Sequence, residues 1–179
     1  MKSRSALVVA VGLALAWPAA AENIHPPMTT AERTLDGILK HSDHDADELD
    51  NLFGGRGQRN FHPSVDYSKV LTAPLIAAIT AKEKALVQAG CGGHYQKGEV
   101  CGMDFSPITC AQDMSDSYLY RTEASGGDRT EISYYWPGTK QPVAAYRLIR
   151  QAETWKIDGI RCTDGDAFNF GGSSPDLKP

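Results

Sequence analysis

The 179-residue chain carries none of the short motifs that announce a reaction. It has no nucleophile elbow, no dinucleotide fingerprint and no zincin helix. Gly54-Gly55-Arg56-Gly57 lacks the preceding strand and the Lys-Ser/Thr pair that a phosphate loop needs. No cofactor is expected. Lysine and arginine nowhere cluster, and 18 of them face 22 acidic residues for a formal net charge of −4. That balance argues against nucleic acid and against an anionic membrane surface as partners. No two cysteines stand at the close C-x2-4-C spacing of a zinc site. There is no internal repeat, and beyond the N-terminal segment no apolar run is long enough to span a membrane.

At the N-terminus, Lys2 and Arg4 precede an uncharged apolar run from Ala6 to Trp17, and Ala19-Ala20-Ala21 supplies small residues for cleavage. This predicts a signal peptide over residues 1–21, with no following cysteine for a lipid anchor. The remaining protein is expected to be exported, periplasmic or extracellular. It is also more acidic, because two basic and no acidic residues leave with the signal. Residues 22–163 make one domain's length. Gly171-Gly172-Ser173-Ser174-Pro175 marks residues 164–179 as a flexible tail.

Cys91, Cys101, Cys110 and Cys162 are an even set, which in an oxidising compartment favours two disulfides over free thiols or a catalytic cysteine. Three pairings are possible. Cys91–Cys101, stapling the loop between them, with Cys110–Cys162, tying the last strand to the middle of the chain, is preferred.

Thr29 and Glu32 form a capping-box pattern ahead of the apolar stripe Leu35, Ile38, Leu39. A short helix is predicted over 45–53, burying Leu49, Leu52 and Phe53 and stopping at Gly54-Gly55. A longer helix is predicted over 74–89, ended by Gly90, with a short helix or kinked lead-in over 67–73. An irregular link follows over 103–116. Alternation then gives strands near 118–123 and 130–136 around the Ser125–Asp128 turn. A hairpin over 142–162 reverses at Gln151-Ala152-Glu153-Thr154. Helices first and strands afterwards mean an α+β fold, with N-terminal helices packed on a curved antiparallel sheet of about four strands.

This order, ending in Trp155-Lys156-Ile157-Asp158-Gly159-Ile160, resembles the nuclear transport factor 2-like (cystatin-like α+β) superfamily. Asp104-Phe105-Ser106-Pro107 followed by Gln112-Asp113 further resembles the bacterial domain of unknown function 3828 family. The resemblance covers roughly residues 30–162. It implies a cone-like sheet with a cavity between sheet and helices, and commonly a dimer through the open sheet face. The superfamily includes enzymes, ligand binders and interaction modules, so it does not carry a function by itself.

Three groups of residues are candidates for chemistry. His41, His44 and Asp45 have ligand-like spacing for a divalent metal, but an acidic helix start explains them equally. As a calcium loop the segment fails, since Glu48 stands where glycine is required. Asp104, Gln112 and Asp113 enter the sheet together, as pocket residues or an acid/base pair. The competing reading has these aspartates bonding nearby backbone. Tyr118, Tyr120, Arg121, Tyr134, Arg147 and Asp158 lie on the strands, either lining a polar patch or forming ordinary cross-strand pairs. The reading preferred is a non-catalytic exported module, monomer or homodimer, binding a protein partner or small ligand; immunity and inhibitor proteins are one form of it. The alternative is a small hydrolase or isomerase using Asp104 or Asp113.

Overall fold

The computed structural model describes residues 23–113, 115–163 and 169–171. The expected signal peptide and most of the expected tail lie outside them. The order is α1 (Thr30–His44), α2 (Glu48–Phe53), a 3-10 turn (Tyr67–Lys69), α3 (Ala73–Cys91), then β1 (Leu119–Gly126), β2 (Arg129–Tyr135), β3 (Ala144–Gln151), β4 (Thr154–Cys162) and β5 (Asn169–Phe170). The strands form one antiparallel meander in the order β1-β2-β3-β4-β5. Among the described residues the sheet thus has five strands rather than about four. The fifth is a two-residue strand against Ile160 and Arg161 that buries Phe170.

Helix α1 begins where the capping box requires. The Thr29 hydroxyl accepts from the Glu32 amide at 3.1 Å, and the Glu32 carboxylate accepts from the Thr29 amide at 2.8 Å. Leu35, Ile38 and Leu39 then face the sheet and are buried. Polar clips fix the helix over β1: Thr122 donates to Glu32 at 2.8 Å and Tyr120 donates to Asp36 at 3.0 Å. Burial pushes the Glu32 carboxyl upward, but bonds from Thr29, Met28 and Thr122 outweigh it and hold its pKa below the usual carboxylate range.

In α2 the expected pattern is inverted. Leu49, Leu52 and Phe53 are half-buried against the core, whereas Glu48 and Asn51 are the buried residues. Helix α3 passes through Gly90, where a stop is expected, and ends two residues later at Gly92. Gly92 takes the left-handed conformation (φ 64°) open to a residue without a Cβ.

The inner sheet face buries Tyr120, Ile132, Tyr134, Tyr146, Leu148, Ile157 and Ile160 against Leu35, Leu39, Leu71, Leu75 and Ile79. Bulges at Glu123 in β1 and Asp158 in β4 each leave one residue unpaired and re-aim its side chain. The link 103–113 lacks regular structure, so side chains hold it. Tyr146 donates to the Ile108 carbonyl at 2.7 Å, Tyr134 to the Thr109 carbonyl at 2.6 Å, and the Met103 amide to Glu83 at 2.7 Å.

Glu83 is 1% exposed and also accepts from Tyr95 at 2.8 Å. A Cβ on Gly102 would overlap its carboxylate. Gly102→Ala is expected to displace Glu83 and lower stability by about 1–3 kcal/mol, the cost of stranding buried polar groups. Gly126→Ala, with open space at its Cβ, is the control. Equal thermal melts for the two variants would refute this role for Glu83.

Candidate binding site

Two segments frame the main cleft. The β2–β3 connection turns at Pro137-Gly138, Thr139 donates to the Trp136 carbonyl at 2.9 Å, and the Val143 amide returns to Tyr134 at 2.9 Å. Opposite it runs the link, folded on itself where the Ser106 hydroxyl accepts from the Thr109 amide at 2.9 Å and the Cys110 amide donates to the Ser106 carbonyl at 2.9 Å. The Cys110–Cys162 disulfide joins the link to the end of β4, and Cys91–Cys101 closes the other loop, so both preferred pairings are present.

Between these segments lies a cleft of about 890 Å³. Phe105, Trp136, Val143 and the disulfide give it an apolar floor, while Asp104, Gln112, Asp113 and Lys140 stand exposed at its rim. Its size and its mixed lining suit a small ligand or a short chain segment.

The structure brings Asp104, Gln112 and Asp113 together, as their order in the link implies. It does not bring the strand candidates there. Tyr118, Tyr120 and Tyr134 are at most 3% exposed and belong to the core, Tyr118 meeting Tyr134 edge-on at 5.4 Å. Desolvation raises the hydroxyl pKa of Tyr120 and Tyr134. Arg121 pairs with the bulged Glu123 at 2.6 Å and lies over the Tyr135 ring at 5.7 Å. Arg147 and Asp158 bond each other at 2.8 Å, and Thr72 donates to Asp158 at 2.9 Å, which ties β3 and β4 to the start of α3. Burial and mutual pairing take these residues out of the cleft.

The metal candidates are also separated. His41 is exposed beside the Tyr67 ring, and His44 Nδ1 lies 2.9 Å from the Lys40 carbonyl. Asp45 accepts from Tyr67 at 2.8 Å and from Asn51 at 3.0 Å. Among the described residues no three His, Cys, Asp or Glu side chains are placed to share a metal ion.

A second, smaller pocket of about 220 Å³ adjoins the cleft, between residues 42–50 and the link. It contains a group that sequence patterning misses. Glu48 is 5% exposed and accepts from Ser42 at 2.6 Å and from Ser106 at 2.9 Å. Desolvation pushes its pKa up to about 7; the two hydroxyls oppose this, and Asp45 and Asp43 add to it. Asp43 is likewise raised by burial, partly offset by a bond from the Ser115 backbone. Its Oδ2 and the hydroxyl of Thr109 are buried with no hydrogen-bond partner among the described residues. A buried polar atom left in this state costs about 1–3 kcal/mol.

No family model, no curated protein and no solved structure matches this chain.

Proposed function

We propose that this protein is an exported, non-catalytic binding module of the nuclear transport factor 2-like kind, with its ligand seated in the cleft between the link and the β2–β3 connection. Three helices followed by an antiparallel meander suit that architecture, and two disulfides suit an oxidising compartment. No described helix is long and apolar enough to cross a membrane.

The observation that carries the reading is the cleft itself. It has an apolar floor, a polar rim and a wall stapled by Cys110–Cys162, so it is pre-formed and binding does not have to order it. An acid/base enzyme would want a carboxylate in an apolar pocket, whereas Asp104 and Asp113 are exposed at the rim. Glu48 has the proton affinity of an acid/base, but Ser42 and Ser106 engage both of its oxygens.

Native mass spectrometry of the protein taken from its own source is the test. A companion molecule at stoichiometric ratio is expected, and Trp136→Ala or Val143→Asp is expected to release it while the fold persists. The same spectrum reads monomer against homodimer. A turnover activity that disappears in Asp113→Asn with the fold intact would overturn the non-catalytic reading.

A further inference from the structure

Side chains of three elements meet where the link turns against the helices. Glu48 of α2 accepts from Ser42 of α1 at 2.6 Å and from Ser106 of the link at 2.9 Å, and the two hydroxyls lie 3.2 Å apart. Ser106 is also the turning point of the link. Its hydroxyl accepts from the Thr109 amide at 2.9 Å, its carbonyl accepts from the Cys110 amide at 2.9 Å, and its amide donates to the Ala111 carbonyl at 3.1 Å. Phe105, Cys110 and Ala111, on either side of that turn, line the cleft. What holds Ser106 therefore holds one wall of the cleft.

Glu48, Ser42 and Ser106 form a closed ring of three contacts. The two serines bring two protons, so all three contacts are hydrogen bonds only when Glu48 carries a third. Ionised Glu48 draws both hydroxyls to itself, and the Ser42–Ser106 contact, which joins α1 directly to the link, is left without a proton. The charge then sits on a residue that is 5% exposed, among groups that share its sign. Asp43 of α1 and Asp45 of the following turn face it, with the phenols of Tyr67, from the 3-10 turn, and Tyr146, from β3. Asp47, Asp50, Asp104 and Asp113 line the same small pocket, whose cation, Arg56, is held by Asp50 at 3.0 Å. The imidazole of His44 acts on Asp43. Burial thus outweighs the two hydroxyl bonds, and Glu48 keeps its proton into the neutral range.

We propose that Glu48 is a proton-operated latch on the cleft: protonated, it keeps the link docked against α1 and α2, and ionised, it frees Ser106 and loosens that wall. The proposal rests on the cleft being the binding site. Ligand is then held in mildly acidic surroundings and released above neutrality. The small pocket that Glu48 lines is the path by which water reaches the freed carboxylate. Release returns Glu48 from about 7 to its ordinary 4.5, so docking takes up a proton between those values. From pH 6 to pH 8 that uptake weakens docking by up to roughly tenfold.

The test is an NMR titration of the isotope-labelled protein with 2-phenylethanol, an uncharged probe on which pH has no action of its own. Without the probe, the amides of Ser106, Thr109 and Ala111 are expected to shift together with the Glu48 side-chain carboxyl, about one midpoint near neutrality. With the probe, the shifts are expected at Trp136 and Val143, and binding at pH 8 is expected to be roughly 3- to 10-fold weaker than at pH 6. Glu48→Gln is neutral at every pH. It is expected to hold the link amides near their acid-range positions and to keep most of the acid-range affinity at pH 8. Equal affinity of the native protein at both pH values, or the same loss in Glu48→Gln, overturns the latch and leaves the cleft standing. A probe that binds elsewhere or not at all, while the link amides still titrate with Glu48, overturns the cleft reading and with it the control of binding.

Discussion

Replacing Cys110 and Cys162 together by serine is expected to lower the melting temperature by roughly 10–15 °C, the effect of about 4 kcal/mol in a domain of this size. The bridge closes a sequence separation of 52 residues, against 10 for Cys91–Cys101. In the chain-entropy account the longer loop restrains the unfolded chain more, and the shorter bridge is worth about 3 kcal/mol. The local consequence is larger than this difference. Cys110–Cys162 anchors a link with no regular structure to the end of β4, and without it the floor of the cleft rests on hydrogen bonds, those of Tyr134, Tyr146, Glu83 and Glu48 among them. Thermal melts of the two double variants, with ligand capture measured on each, decide the matter. Loss of binding is expected for the Cys110/Cys162 variant and retention for the Cys91/Cys101 variant. Equal melting temperatures and equal binding would contradict this assignment.

The fold is expected to weaken, by about 3 kcal/mol, as pH rises from the acid range to above neutrality, and Glu48 is the main cause. Its ordinary value is 4.5 and its folded value about 7. Below 4.5 folded and unfolded chains both hold the proton. Between the two values only the folded chain holds it, so folding takes up a proton and each increment of pH costs stability. Above about 7 the carboxylate is ionised in both states and the loss is complete. Asp43 acts in the same direction, whereas Glu32, whose pKa is lowered, withdraws its contribution only as pH falls. Glu48→Gln keeps an amide that can both donate to and accept from Ser42 and Ser106, and it does not ionise. Urea unfolding across this pH range should show the decline in the native protein and a much shallower one in Glu48→Gln, with Asp43 carrying what remains. A slope undiminished by the substitution would mean that other groups carry it.

These two expectations differ in how far the sequence announces them. The cysteines can be counted and spaced, and the start of α1 is written within four residues, because Thr29 and Glu32 do their work locally. The hairpins are legible for the same reason. Glu48 is not. It follows a run of polar residues that reads as a solvated helix start, and its burial depends on Ser106, 58 positions away. Alternation along β2 and β3 shows which residues share a face, but Ser133, Tyr135 and Arg147 on one face are as buried as Ile132, Tyr134 and Tyr146 on the other. Sequence therefore left open whether the tyrosines line a pocket or fill the core. A two-residue strand such as Asn169–Phe170 is too short to have a period at all. The rim residues Asp104, Gln112 and Asp113 were found because they stand close together in the chain, whereas Trp136 and Val143, across the cleft, join them only through the register of β2 and β3.

The order of the disulfides bears on how the molecule matures. The first cysteine is joined to the second and the third to the fourth. When a chain meets its oxidant from the N-terminal end, Cys101 is already occupied by Cys91 before Cys110 arrives, which removes the nearest wrong partner. Cys110 then waits for Cys162, the last cysteine to emerge. An oxidase acting in order of emergence makes both native bonds at the first attempt, and no isomerase is needed to undo a crossed pair.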